Sequence, residues 1–252
     1  MAQPRVLFYD IETSHNIVAV FRLFGEDYIS HENLLQERYI ICAAWRWEGE
    51  TKVHGVSVLD DAKRFKKNSH DDFHVVQTLH NVMAQANILV GHNADRYDRR
   101  FYETRALVNG IAPLPPIASV DTLKVAKARF LFNNNRLDYL GQLLGLGRKK
   151  ATPRGLWLDV LKGDAKAIKT MLAYNKQDVV LLEAVYRKLA PYVKLATSHS
   201  PTGCPRCGSL KTILQGTRRT VAAVYPRHQC TACGGWFQGA KALSRTAETR
   251  VL

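Results

Sequence analysis

Asp10 and Glu12 stand one residue apart at the end of an apolar run, Val6 to Tyr9. In a strand, side chains two positions apart point the same way. Two carboxylates aimed at one point repel each other unless a cation lies between them. Oxygen ligands of this kind favour a hard divalent ion, Mg²⁺ or Mn²⁺. The pair alone does not decide between a metal site and an ordinary acidic surface.

A further acid, Asp98, closes the run Gly91-His92-Asn93-Ala94-Asp95-Arg96-Tyr97-Asp98. This run follows a short apolar strand and opens a helix, so Asp98 is expected to face inward near the first turns. The plain alternative is helix-start chemistry, with Asn93 as cap and acids in the first turn. The last acid lies in Tyr174-Asn175-Lys176-Gln177-Asp178. Tyr174 and Asp178 are four apart on a long helix and share a face. Leu172, Val179, Leu182 and Val185 mark the inner side of that helix. An acid there is costly to the core unless it binds something.

Four of the five cysteines form two knuckles, Cys204-Pro-Arg-Cys207-Gly and Cys230-Thr-Ala-Cys233-Gly. Two C-x₂-C pairs at this separation read as a structural Zn²⁺ site, with a pair of disulfides as the rival. Between them, 210–217 and 220–228 read as a β-hairpin, the pattern of a zinc ribbon. A module this small draws folding energy from its metal. Arg218, Arg219 and Arg227, with Tyr225 and Trp236, suit a basic and aromatic surface for single strands. For Trp236 the stronger expectation is that it packs the module's small core. Cys42 sits in an apolar stretch and reads as a buried small hydrophobe.

Regular elements must hold these groups in place. Residues 5–10, 39–47, 51–58, 88–91 and a segment ending near Asp121 read as strands. Residues 72–86, 95–109, 122–130, 136–145 and 155–161 read as helices. The long helix runs from about 164 to 189, with Asp164 as its N-cap. Residues 13–37 and the charged stretch 60–72 carry no clear pattern. Adjoining strands followed by strand-helix units predict an α/β fold, a ribonuclease-H-like mixed five-stranded sheet with helices on both faces. The expected division is a catalytic domain over 1–196, a zinc ribbon over 200–240 and a basic tail over 241–252.

Charge agrees with a polyanionic partner. The chain of 252 residues carries a net +14, of which residues 201–252 hold +7. Nucleic acid is the commonest partner for such an excess. No apolar run reaches the ~18 residues needed to span a bilayer, and the first residues lack a signal-peptide layout. A soluble cytoplasmic protein with no membrane partner is expected.

Together, the three acidic segments resemble the DEDD exonuclease superfamily. Asp10 and Glu12 match its D-x-E motif. Asn93, Tyr97 and Asp98 match N-x₃-[FY]-D. Tyr174 and Asp178 match Y-x₃-D, whose tyrosine marks the DEDDy branch. Segments such as LFYDIET, VGHNADRYDRRF and YNKQDVVLLE look closest to phage- or prophage-type enzymes related to the exonuclease domain of family B polymerases, in a bacterial or phage-infected host cell. The resemblance covers about residues 5–190. It implies 3′→5′ hydrolysis of nucleic acid with two divalent ions about 3.5–4 Å apart. Asp10 is implied to bridge both ions. Glu12 and Asp178 complete the site of one, and Asp98 supports the other. Tyr174 is implied to orient the attacking water. Thr13 lies beside the terminal nucleotide, and Asn93 supports substrate or site geometry. DNA 3′ ends are the expected substrate, with single strands favoured and a replication or repair protein as a further partner. RNA is the close alternative, because these motifs do not read the 2′-hydroxyl. A non-catalytic nucleic-acid adaptor and a ribonuclease-H-like endonuclease are the more distant ones.

Overall fold

The computed structural model describes residues 4–22, 24, 28–149, 152–195 and 202–245. Its strands are β1 (Val6–Thr13), β2 (Ile17–Val18), β3 (Leu34–Gln36), β4 (Ile40–Trp47), β5 (His54–Ser57), β6 (Ile88–Gly91) and β7 (Ala118–Asp121). A second group follows: β8 (Thr212–Arg219), β9 (Ala223–Cys230), β10 (Trp236–Gln238) and β11 (Ser244–Arg245). The helices are α1 (Ala62–Lys67), α2 (Phe73–Met83), α3 (Asp98–Val108), α4 (Thr122–Arg129), α5 (Leu137–Leu143), α6 (Leu156–Leu161) and α7 (Ala165–Leu189).

Strand β1 lies at the centre of a five-stranded sheet of order β5-β4-β1-β6-β7. It runs antiparallel to β4 and parallel to β6. The mixed ribonuclease-H-like sheet expected above is therefore present. Central strands bury both faces and read as continuous apolar runs, as VLFY and IICAA do. Alternation sorts their side chains between two cores. Leu7, Tyr9 and Ile11 pack with Val76 and Leu79 of α2 and Tyr102 of α3. Val6 and Phe8 pack with Val179, Leu182 and Val185 of α7. Helix α7 begins where expected, because the Asp164 carboxylate accepts from the amides of Lys166 and Ala167. It lies close over the sheet edge: a Cβ on Gly55 would meet Lys176 at 2.7 Å and Leu172 at 2.8 Å.

Two assignments shift. The helix expected from 95 begins at Asp98, because Asn93 takes a left-handed φ of 65° and opens a turn. Its carbonyl accepts from the amides of Arg96 and Tyr97, so Asn93 is not the N-cap, a position held by Tyr97. The stretch 60–72 contains α1, capped by the Asp61 side chain. Within 13–37, Ile17–Val18 and Leu34–Gln36 pair as the small β2–β3 ladder beyond the end of β1.

A buried ion pair ties the start of α2 to α3 and to the first residue of β4. Asp72 accepts from Arg105 Nε at 2.7 Å and Nη2 at 2.8 Å, from Asn109 at 2.9 Å and from the Ile40 amide at 2.9 Å. Removing one partner of such a pair leaves an uncompensated buried charge. Asp72→Ala is expected to lower unfolding free energy by about 3–5 kcal/mol in urea denaturation, with the midpoint as readout. Among the described residues no helix is long and apolar enough to cross a membrane.

Candidate active site

Alternation along β1 carries the Val6 and Phe8 face onward through Asp10 and Glu12. That face looks at α7, so both acids point at Asp178. One oxygen each from Asp10, Glu12 and Asp178 lies within 4.8 Å of the others. Asp178 is buried, and Asp10 and Glu12 are partly exposed. The β1–β4 register shifts between Glu12 and Thr13. Such a bulge re-aims the next side chain, and the Thr13 hydroxyl meets the Tyr97 hydroxyl at 2.8 Å.

Asp98 sits just outside the three-oxygen cluster. It is buried, and one of its oxygens is 3.4 Å from the Ile11 amide, between Asp10 and Glu12. The turn leading to it is built on Asp121. That carboxylate accepts from the amides of Asn93 at 2.9 Å and Asp95 at 3.3 Å while capping α4. Tyr174 lies one turn before Asp178 on α7.

Two groups in this site escaped the sequence reading. Asn175, fully buried, donates from Nδ2 to Asp10 at 2.7 Å. Met171, Asn175, Asp178 and Leu182 form one buried stripe of α7, so a second polar residue on that stripe was the available signal. Lys149, on the loop after α5, forms an ion pair with Asp178 and lies 5.4 Å from the Tyr174 ring centre. It is 29 residues from Asp178, and no local pattern points to it.

The acids are short of positive charge. Burial first, then Asp98, Glu12 and Asp178, raise the Asp10 carboxyl well above its usual range. Burial and Asp178 push Glu12 up to about 7. Burial pushes Asp98 up to about 6, against its amide hydrogen bonds. Burial also raises Asp178, opposed by Lys149 and a hydrogen bond from Tyr174. Asp178 Oδ1 is buried with no hydrogen-bond partner among the described residues. Oxygens on one octahedral Mg²⁺ at about 2.1 Å lie at most about 4.2 Å apart, close to the observed spread. Converging carboxylates, raised affinities for protons and an orphaned oxygen all fit a divalent cation.

This has a consequence for stability. A folded-state pKa above the unfolded one gives stability that is present at low pH and lost as pH rises through the folded value. For Glu12 the window runs from 4.5 to about 7. Metal-free protein is therefore expected to be less stable at pH 8 than at pH 5, on the order of 2 kcal/mol from this group. Millimolar Mn²⁺ should reverse the loss. Thermal melts at both pH values, with EDTA or Mn²⁺, check it; a higher midpoint at pH 8 in EDTA would contradict it.

Two grooves lie near the cluster: Glu12 lines the smaller, and the larger reaches Lys149, the partner of Asp178. One, of about 460 Å³, is lined by Glu12, Thr13, His15, Arg38, Tyr97 and Trp157. The other, of about 690 Å³, is lined by residues that include Asn93, Arg96, Arg136 and Lys149. Arg218 and Arg219 line neither; they lie exposed on β8.

The four cysteines also converge, with sulfurs within 4.8 Å of one another. Cys204 and Cys233 are 3.7 Å apart, and Cys207 and Cys230 are 3.6 Å apart. A disulfide requires about 2.05 Å. Sulfurs at the corners of a Zn–S tetrahedron with 2.3 Å bonds lie about 3.8 Å apart. The geometry therefore fits a four-thiolate metal, and the hairpin of β8 and β9 is present as expected. His228 is outside the cluster and stacks on Phe237 at 5.3 Å. Trp236 departs from expectation. It is 42% exposed, with the Arg227 guanidinium 5.0 Å from its ring centre. Stacking on a surface cation, not core packing, is what holds it. Cys42 is buried, as expected.

No curated protein matches the chain. A similar solved structure is that of the family B DNA polymerase from the hyperthermophilic archaeon Pyrobaculum calidifontis, with a TM-score of 0.54 and 16% sequence identity. The alignment covers 75% of this chain and 25% of that one. The chain thus spans about a quarter of the polymerase's length, and at this identity the likeness establishes the fold alone. Residues 45–190 match the RNase_H superfamily, more than half of the chain and including Asp98, Tyr174 and Asp178. The chain belongs to the RNase_H superfamily.

Proposed function

We propose that the protein is a metal-dependent 3′→5′ exonuclease that releases nucleotides from DNA 3′ ends. Membership of the RNase_H superfamily supports nuclease chemistry in general. The observation that carries the finer reading is the convergence of Asp10, Glu12 and Asp178 within 4.8 Å, with Tyr174 one turn away. The 3′→5′ direction rests on the motif order that resembles DEDDy exonucleases.

Asp10, Glu12 and Asp178 would hold two Mg²⁺ or Mn²⁺ ions, with Asp98 beside Asp10. Bound there, the ions supply an activated water and neutralise charge on the scissile phosphate and the leaving 3′-oxygen. Asn175 fixes the Asp10 carboxylate through its 2.7 Å hydrogen bond. Thr13 and Tyr97 border the groove beside Glu12 and would contact the terminal nucleotide. Asn93 holds the turn that presents Asp98. The Tyr174 hydroxyl is raised further above its ordinary value by burial and by Asp178. It is thus a poor base, suited to orient the water by a hydrogen bond. Tyr174→Phe is expected to lower kcat by roughly 10–100-fold while leaving KM near wild type, read by steady-state nucleotide release. A loss as large as that from removing a carboxylate would assign Tyr174 the proton transfer itself.

Residues 1–196 are proposed as the catalytic domain and 200–240 as a Zn²⁺ ribbon. Arg218 and Arg219, with the Arg227–Trp236 stack, would bind single strands. The basic tail, 241–252, lies partly outside the described residues, as do most of 197–203. The proposed setting is the cytoplasm of a bacterial or phage-infected cell, with a replication or repair protein as a further partner.

The test is a substrate panel. Single-stranded DNA, duplex DNA and RNA of one sequence are incubated with Mg²⁺, Mn²⁺ or EDTA. Mononucleotides released from DNA with metal, and none with EDTA, are expected. Release from RNA alone would overturn the DNA assignment; no release from any substrate would overturn the activity.

A further inference from the structure

The larger groove gathers cations that pairing with the carboxylate cluster does not account for. Its cations come from separate parts of the chain: Arg96 from the turn before α3, Lys127 from α4, Arg136 from the start of α5 and Lys149 from the loop after it. Arg96, Lys127 and Arg136 are exposed and carry no ion pair among the described residues. The groove's one carboxylate, Asp138, is engaged by the Lys149 amide at 2.7 Å and by Gln142 at 2.7 Å. Cations gathered around one concavity repel each other unless an anion fills it.

The groove is also held open by a specific brace. His92 sits between the Thr122 hydroxyl and the Asn135 carbonyl, each at 2.9 Å. It ties the loop Asn133–Arg136 to the turn that precedes Asp98. Burial and the neighbouring Lys149 lower the His92 pKa, against Asp121 and the Asn135 carbonyl. The Asn133 and Asn134 side chains are exposed on this rim. Amides both donate and accept, which suits phosphates and base edges together.

The two grooves differ in charge. Arg38 is the cation of the smaller one. It is already engaged, 3.2 Å from the Tyr97 hydroxyl and 5.0 Å from the Phe101 ring centre. The unengaged cations are all on the other side. We infer that the groove between the Asn93–Arg96 turn, α4 and the Asn133–Arg136 loop carries the phosphate backbone of a single nucleic-acid strand leading into the carboxylate cluster. This rests on the proposed nuclease reading only for the word "leading"; the binding of a strand stands on the groove itself.

The experiment uses the full chain with Lys127→Ala and Arg136→Ala combined. Binding of a fluorescein-labelled single-stranded oligodeoxynucleotide is followed by anisotropy in EDTA, so that no hydrolysis occurs. Dissociation should weaken about tenfold at low salt. The slope of log K against log salt should flatten by about 1.4, since each single-strand phosphate contact contributes about 0.7. The charge-retaining pair Lys127→Arg and Arg136→Lys should restore both. In parallel, hydrolysis of the p-nitrophenyl ester of thymidine 5′-monophosphate, which has no neighbouring phosphates, should stay within about twofold of wild type. Unchanged affinity and slope would overturn the inference, as would an equal loss on the small ester. If wild-type protein hydrolyses neither the ester nor, with Mn²⁺ in place of EDTA, the oligonucleotide, the exonuclease reading fails, and the anisotropy result alone decides the groove.

Discussion

Asp10→Asn is expected to abolish nucleotide release, by a thousandfold or more, while leaving the folded protein at least as stable as wild type at pH 8 without metal. The two halves of this result share one cause. Asp10 is raised by burial and by three neighbouring acids. Its negative charge is unfavourable to the metal-free fold and is tolerated for the cation it is proposed to hold. Asparagine keeps the shape and can still accept from Asn175, but it removes the charge that a hard ion needs. Electrostatic stabilisation of this kind is often the largest single contribution to catalysis. Asp178→Asn should cost as much in rate. It also strips Lys149 of its partner, but Lys149 is 29% exposed and reaches water, so the stability change should be small. Rates of mononucleotide release with Mn²⁺, paired with thermal melts, check both. Release within tenfold of wild type in either variant would remove that residue from the site.

Removing the thiolate metal is expected to unfold β8–β11 while the larger sheet persists. Among the described residues of this module, the buried hydrophobic side chains are Cys204, Ala223 and Cys230. Two of the three are cysteines of the four-sulfur cluster, so no apolar core can hold the hairpin. Metal binding is worth about 10–16 kcal/mol in comparable structural sites. Four sulfurs in one place also need deprotonation. Amide and thiol hydrogen bonds bring Cys230 down to about 7 despite burial, whereas burial takes Cys233 up to about 12. Acid should therefore compete with metal. The measurement is zinc content with limited proteolysis after chelation. One zinc per chain, and rapid cleavage within 202–245 once it is stripped, are expected. Cys230→Ser should behave as stripped protein. A stripped module that resists protease as well as the loaded one would contradict the account.

The parts legible in the sequence were those encoded by spacing. Asp10 and Glu12 follow the two-residue period of β1, and Tyr174 and Asp178 the turn of α7. Both patterns are local and survive folding. The cysteine knuckles are local in the same way. Lys149 and the Asp72–Arg105 pair were not legible, because each joins residues brought together only by the tertiary fold. Asn175 was legible in part: it lies on the buried stripe of α7, but nothing local says that Asp10 is its partner. The start of α3 was misplaced because a left-handed asparagine is a choice the helical pattern does not announce. Helix α1 has no buried residue, so no apolar period marked it. Trp236 was assigned to a core that the module does not have.

The most direct test of the central claim is product mapping. Single-stranded DNA labelled at its 5′ end is incubated with wild-type protein and Mn²⁺, and the products are resolved by length over time. The account predicts a ladder that shortens one nucleotide at a time from the 3′ end and vanishes with EDTA or with Asp10→Asn. Early internal fragments, or immediate release of the 5′ label as a mononucleotide, would contradict it.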